Sequence, residues 1–175
     1  ITHVDTTVDP VRDMEVINYE LQIKDLETVE SRLAKTEKAA KAGADKTAKM
    51  QLGVLQAYKD ALEKGLPARA VEIEGKEEQK FARELFLLTN KPVMYICNVD
   101  DASAVSGNAY VDAVREAIKN EGSQLLVVAA KTESEIAELE TYEERREFLE
   151  EMGLEESGVN RLIRAAYALL DLQTY

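Results

Sequence analysis

Polar side chains follow the two most apolar stretches of the chain. Asn98 and Asp101 come soon after residues 92–97, and Lys131 follows residues 125–130. The side-chain amide of Asn98 both donates and accepts hydrogen bonds, which suits the N7 edge of a purine. The carboxylate of Asp101 can accept two N–H groups, which is the pattern that guanine offers. Because Asn and Asp are also common in turns, the alternative is that both side chains only cap the loops that follow the strands.

The two apolar stretches predict β-strands that lie in a parallel sheet. Residues 92–99 and 125–130 are short and rich in aliphatic side chains, as expected for strands buried on both faces. Helices are predicted around them, over residues 109–120, near 133–138, 142–152 and 159–171. This order is typical of right-handed βαβ units in an α/β layer. Since ligands of such sheets bind beyond the carboxyl ends of the strands, we expect the two polar motifs to meet at one edge.

The first part of the chain predicts a hairpin of two long helices. Asp9-Pro10 favours a helix start, and residues 13–42 then contain no glycine or proline. A second helix is predicted over 46–64 after a short glycine-containing link, and a third over 76–89. Two helices of an ordinary bundle would produce the same pattern as an antiparallel hairpin. One face of the first helix is marked by apolar residues at Met14, Ile17, Leu21, Leu26, Val29 and Leu33.

Charge is distributed unevenly along this hairpin. The segment 35–49 carries five lysines against Glu37 and Asp45, a net charge of +3. Since the whole chain has a formal charge of −12, the remainder carries −15. A lysine cluster makes salt-dependent contacts with phosphates, which suits RNA, whereas lysine is equally favoured on a solvated helix face. The candidate RNA contacts are Lys35, Lys38, Lys41, Lys46 and Lys49.

The composition excludes several classes of protein. A single cysteine, Cys97, and a single histidine, His3, leave no disulfide framework and no Cys/His zinc site, and Cys97 is interpreted as a small apolar side chain. There is no tryptophan, and the net charge disfavours a protein that coats nucleic acid over its whole surface. No apolar run approaches the about 18 residues of a membrane span, and residues 1–15 do not resemble a signal peptide. A cytoplasmic protein without a membrane partner is expected.

Several blocks of the sequence agree in order and spacing with one known family. They are residues 1–4, 8–18, 20–21, 91–99, 135–139, 153–158, 160–161 and 172–175. On these blocks, which extend over essentially the whole chain, the sequence resembles the YchF or Obg-like ATPase family of Obg-type P-loop nucleotidases. The resemblance implies an α/β fold that is mostly helical: part of a Ras-like nucleotidase core with an inserted antiparallel coiled-coil hairpin. The implied domains are a connection over 1–13, the hairpin over 14–70 and the C-terminal part of the core over 71–175.

The resemblance also implies roles for the two polar motifs. Guanine-nucleotide switches carry Asn-Lys-x-Asp and Ser-Ala-Lys at these strand ends. The implied base-binding residues are therefore Asn98, Val99, Asp101, Ala129, Ala130 and Lys131. The family has Asn-x-x-Glu and tends to prefer ATP, whereas this chain has Asp101, which by its length could still reach guanine. A ribosome-associated ATPase is implied, with ATP favoured and GTP left open.

The phosphate-binding half of such a site is not found in this sequence. A P-loop needs Gly-x4-Gly-Lys-Ser/Thr, and the three Lys-Thr pairs of the chain follow Ala34, Asp45 and Ala130 rather than glycine. The chain is therefore interpreted as a central fragment that lacks the P-loop and a TGS domain. ATP or GTP with Mg²⁺ is expected in the full-length protein, with none tightly bound here, and the fragment alone is expected to hydrolyse nothing. The alternative is a non-catalytic hairpin module that binds RNA or the ribosome.

Overall fold

A computed structural model describes residues 7–42 and 46–173. The predicted glycine-containing link of the hairpin and the first family block, residues 1–4, lie outside the described residues. The chain divides into two compact units: one runs from Arg12 to Lys91, and the other contains the described residues before Arg12 and those from Pro92 onward. No helix in the described part combines the length and the apolar character that crossing a bilayer requires.

Two long helices form most of the first unit. They are α1, Pro10–Ala42, and α2, Lys46–Glu63. The helices run antiparallel, because Lys59 of α2 pairs with Glu30 of α1 at 2.7 Å, while Tyr19 of α1 lies beside Gly65, just after the end of α2. Both helices therefore form where the sequence predicts them, and they pack against each other.

The third helix of this unit ends earlier than predicted. α3 spans Lys76–Glu84, five residues short of the predicted end at residue 89. The backbone N–H groups of Leu88 and Thr89 donate to the carboxylate of Asp25 on α1, instead of to carbonyls one helical turn earlier. The chain leaves the helix at Phe86, whose φ is 52°. Hydrogen bonds to Asp25, which lies far away in the sequence, thus end α3.

The core of the first unit joins all three helices. Phe81 of α3 and Leu85, which directly follows α3, pack in one buried cluster with Val29 of α1 and Tyr58 of α2. Residues 71–91, predicted to belong to the C-terminal part of the nucleotidase core, therefore pack with the two long helices. The compact unit that contains the two long helices extends to Lys91, because α3 buries its apolar face against them.

Two parallel strands organise the second unit. Its elements are β1 (Met94–Asn98), α4 (Ala109–Ile118), β2 (Gln124–Val128), α5 (Ala130–Glu138), α6 (Tyr142–Glu151) and α7 (Gly158–Leu169). β1 and β2 pair in parallel, with Met94 opposite Gln124 and Asn98 opposite Val128. The apolar residues Val111, Val114 and Ile118 give α4 its buried face. This arrangement confirms a partial α/β core with a high helical content.

Both strands are shorter and less buried than predicted. β2 ends at Val128, and Ala129 and Ala130 precede and begin α5 instead of extending the strand. Ile96 is 50% exposed, and Leu126 is the one buried residue of the ten in these strands. The expectation of strands buried on both faces is wrong for the described residues, because the sheet that they form has only these two strands.

Candidate functional site

The side chain of Asn98 joins the ends of the two strands. Asn98 is the last residue of β1 and lies opposite Val128 of β2. The backbone N–H of Val99 continues the strand pairing by donating to the carbonyl of Val128 at 2.9 Å. Just beyond, the backbone N–H of Ala130 donates to Oδ1 of Asn98 at 3.0 Å. The parallel register therefore brings the two predicted motifs together at the carboxyl edge of the sheet.

The carboxylate of Asp101 binds the first turn of α5. Its Oδ1 accepts a hydrogen bond from the hydroxyl of Thr132 at 2.6 Å, and its Oδ2 lies 3.3 Å from Nζ of Lys131. Lys131 is exposed and also lies 3.6 Å from Glu135, whereas Thr132 is buried. The hydrogen bonds from Thr132 and then Lys131 lower the pKa of Asp101, and Asp101 raises the pKa of Lys131 in return. Asp101 is therefore ionised at neutral pH, so its carboxylate only accepts hydrogen bonds.

A different residue caps the turn that follows β1. Asp100 precedes the 3-10 turn Asp101–Ser103, and its Oδ1 accepts the backbone N–H of Ser103 at 2.9 Å. The loop-capping role that was the alternative for Asn98 and Asp101 thus belongs to Asp100. Asn98 and Asp101 instead bridge from the end of β1 to the start of α5.

Contacts from α7 support the first turn of α5. The carboxylate of Glu133 accepts the backbone N–H groups of Gly158 and Val159 at 2.6 and 3.1 Å. A side chain at position 158 would crowd this contact, since a Cβ on Gly158 would lie 2.9 Å from Oε1 of Glu133. The guanidinium of Arg161 donates to the carbonyl of Val127 at 2.8 Å. The end of β2 and the start of α5 are therefore both fixed to α7.

The residues that orient this site were not predicted from the sequence. Thr132 and Glu133 directly follow the Ala-Ala-Lys motif, and Gly158 closes one of the family blocks. Their places beside this motif and in this block were the only signs in the sequence that these residues matter. Their contacts could not be read from it, because the partners of Thr132 and Glu133 lie 31 and 25 residues away along the chain.

Comparison with known proteins gives the chain its family. No protein-family model matches it. Over its whole length, however, it is 48% identical to the ribosome-binding ATPase YchF of Bacillus subtilis and 47% identical to that of Escherichia coli O157:H7. The chain belongs to the YchF family. The structure of the Schizosaccharomyces pombe YchF GTPase matches 97% of the chain with a TM-score of 0.85 and 28% identity.

The chain matches only part of each of these relatives. This YchF-family chain covers 48% of the Bacillus subtilis relative, 47% of the Escherichia coli one and 46% of the Schizosaccharomyces pombe chain. It thus spans about half the length of the relatives that it matches. The predicted resemblance to the YchF family is confirmed.

The lysines predicted to contact RNA lie at one end of the hairpin of this YchF-family chain. Three of them lie in the last part of α1 and two in the first turn of α2, and all five are exposed. Because α1 and α2 run antiparallel, the two groups share one end. Within residues 7–42 and 46–173, none of the five ammonium groups takes part in an ion pair. We name this set the basic tip: Lys35, Lys38, Lys41, Lys46 and Lys49.

Metal ligands and reactive groups are scarce in the part of the chain that the structure describes. No group of three or more Asp, Glu, His or Cys side chains there is arranged to hold a metal ion. Cys97 is half-buried, and its burial raises the pKa of the thiol. A thiol of this kind is protonated at neutral pH, in keeping with its interpretation as a packing residue.

Proposed function

We propose that this chain forms the base-recognition part and the helical hairpin of a cytoplasmic, ribosome-associated ATPase that binds purine nucleotides and favours ATP over GTP. The observation that carries the proposal is the meeting of Asn98 with Ala130 at the carboxyl edge of two parallel strands. That edge is where ligands bind in open α/β sheets. The names of the relatives, ribosome-binding ATPase and GTPase, support the same function.

The residues around this edge suit a purine base. Asn98 uses its Oδ1 to hold Ala130, which leaves the amide N–H groups of Asn98 to donate to N7 of a purine. Asn98 is exposed, so a ligand can reach it. Ala129 and Ala130 are small enough for a base to approach the backbone, and Val99 and the alkyl stem of Lys131 supply apolar surface beside it.

The phosphates and Mg²⁺ would be held by residues outside these 175. The sequence contains no P-loop, and the described residues offer no cluster of carboxylates for a metal. Phosphoryl transfer depends almost wholly on positioning the phosphates and the metal ion. We therefore propose that hydrolysis requires the other half of a protein of the relatives' length.

Displacement of a fluorescent ATP analogue from the complete protein tests the proposed function. ATP is expected to displace the analogue most strongly, GTP less strongly and CTP only weakly, because the amide of Asn98 suits the N7 edge that only purines have. Displacement by CTP as strong as that by ATP would mean that the base is not read. A clear preference for GTP that is lost in Asp101→Glu would reverse the proposed order of ATP and GTP.

The helical hairpin supplies the second part of the proposal. We propose that α1 and α2 form an antiparallel coiled-coil insert whose basic tip binds RNA phosphates of the ribosome. The five lysines of the tip are exposed and free of ion pairs in the described residues, so they can contact a polyanion without breaking an internal interaction. The positive tip on a chain of net charge −12 would also restrict the contact with RNA to this end of the hairpin.

Charge reversal in the basic tip is expected to weaken ribosome binding by at least about tenfold at low salt, because each lost phosphate contact reduces both the affinity and its salt dependence. The variant carries Lys38→Glu, Lys41→Glu and Lys46→Glu. A matched control reverses three exposed lysines of the same unit, Lys64, Lys76 and Lys80. Equal binding by both variants in co-sedimentation would mean that the basic tip is only a solvated surface. Ribosome binding without any nucleotide binding would instead support the non-catalytic hairpin module.

A further inference from the structure

Both oxygens of the Asp101 carboxylate are already bound within the protein. Oδ1 accepts the hydroxyl proton of Thr132 at 2.6 Å, and Oδ2 lies 3.3 Å from the ammonium group of Lys131. Thr132 is 1% exposed, so its hydroxyl has no access to solvent as another partner. Lys131, in contrast, is exposed and shares its charge between Asp101 and Glu135. The contact with Thr132 is therefore the firmer of the two.

The direction of this hydrogen bond follows from the charge of Asp101. The pKa of Asp101 lies below its usual value, with the hydrogen bond from Thr132 as the largest cause, so the carboxylate is ionised at neutral pH. An ionised carboxylate only accepts hydrogen bonds, and a hydroxyl has one proton to give. Thr132 is thus the donor, and its proton is directed at Asp101.

Guanine and adenine differ in what they require from this carboxylate. Guanine offers two adjacent N–H donors on its Watson–Crick edge, and a carboxylate that accepts both is well matched to it. Adenine has an acceptor nitrogen in place of one of these donors, so it gains less from a free carboxylate. A carboxylate offers about four acceptor positions, and Thr132 and Lys131 use two of those of Asp101. A carboxylate whose orientation is fixed by such contacts is less able to turn toward a base, so the site loses more affinity for guanine than for adenine.

We propose that Thr132 determines the base specificity of this site: its buried hydroxyl holds the carboxylate of Asp101 against the first turn of α5 and withdraws it from guanine. The proposal rests on the proposed function of the site. It explains how a chain with the shorter Asp101 can favour ATP, as proposed above, although the side chain has the length to reach guanine.

A second contact at the same edge acts in the same direction. The backbone N–H of Ala130 would be a natural donor to the carbonyl oxygen of guanine, which adenine lacks. It donates instead to Oδ1 of Asn98 at 3.0 Å. Of two groups suited to guanine, the Ala130 N–H is thus occupied by Asn98, and the Asp101 carboxylate is held by Thr132.

Removal of the Thr132 hydroxyl in the complete protein tests this inference. Thr132→Val keeps the shape of the side chain and deletes its donor, while Thr132→Ser keeps the donor. The affinities for ATP and GTP are measured by displacement of the same fluorescent analogue. In Thr132→Val the ratio of GTP affinity to ATP affinity is expected to rise by about tenfold or more, and in Thr132→Ser it is expected to stay near that of the unmodified protein.

The possible outcomes separate this inference from the proposed function. An unchanged ratio in Thr132→Val, with ATP binding retained, would overturn the role of Thr132 and leave the proposed function intact. A rise of the same size in Thr132→Ser would also overturn it, because the hydroxyl would then not be the cause. If the unmodified protein bound neither nucleotide, both proposals would fall. Thr132→Ala, which removes the hydroxyl without adding bulk, replaces Thr132→Val if circular dichroism shows that the valine variant is unfolded.

Discussion

Replacement of Asp25 by alanine is expected to lower the free energy of unfolding by about 3 kcal/mol or more. Asp25 lies on α1 and is 2% exposed. Its carboxylate accepts three hydrogen bonds of 2.7 Å, from the backbone N–H of Leu88 and from the backbone N–H and hydroxyl of Thr89. The same hydroxyl of Thr89 accepts the backbone N–H of Ala68 at 2.9 Å. Alanine would leave three donors without their partner where the chain turns after α3.

Urea denaturation of the chain measures this effect, with Asp60→Ala as the matched control. Asp60 is exposed on α2 and accepts one hydrogen bond, from Gln56 at 2.7 Å. Its replacement is expected to change the free energy of unfolding by less than about 0.5 kcal/mol, as is usual for surface sites. If Asp25→Ala were no more destabilising than Asp60→Ala, the buried carboxylate would not be what joins α1 to the turn at Leu88–Asn90.

The first unit illustrates which parts of a fold are accessible from a sequence. α1 and α2 follow from the absence of glycine and proline and from local helix signals, which need no knowledge of partners. The buried face of α1 follows only in part from its apolar residues: Val29 is buried in the core, and Leu26 and Leu33 pack against it. Ile17 lies on the predicted face but is exposed, whereas the polar Gln22 and Thr36 are buried along with Asp25. A polar residue in a helix is normally assigned to the surface. For Asp25, only its hydrogen-bond partners Leu88 and Thr89 reveal that it is buried, and they lie more than 60 residues away in the sequence.

The candidate site was predictable to a similar degree. Asn98 and Ala130 could be brought together from sequence, because residues at the carboxyl ends of neighbouring parallel strands share an edge. The hydrogen bond from Thr132 to the carboxylate of Asp101 could not be predicted. It depends on Thr132 pointing inward from the first turn of α5, and α5 begins three residues earlier than its helix signals indicated.

Replacement of Asn98 by alanine in the complete protein is expected to lower the affinity for ATP by about 100-fold, because two hydrogen bonds are lost at once. One is the proposed donation from the amide to the purine. The other is the bond of 3.0 Å from Ala130, which fixes the start of α5 relative to β1. Since Asn98 is exposed and its replacement creates no cavity, the loss is expected in binding far more than in folding.

Asn108→Ala is the matched control for this variant. Asn108 lies in the same unit and caps α4, with its Oδ1 accepting the backbone N–H groups of Tyr110 and Val111 at 3.0 and 3.1 Å. Loss of such a cap costs about 1 kcal/mol of stability. It removes no group from the proposed base site, so the affinity for ATP is expected to stay unchanged.

Calorimetric titration of ATP into the complete protein and into these two variants tests the central claim most directly. The account predicts that Asn98→Ala loses about two orders of magnitude in affinity while Asn108→Ala binds ATP like the unmodified protein. Equal affinity for ATP in Asn98→Ala and Asn108→Ala would contradict the claim that the edge formed by β1, β2 and the start of α5 reads the base.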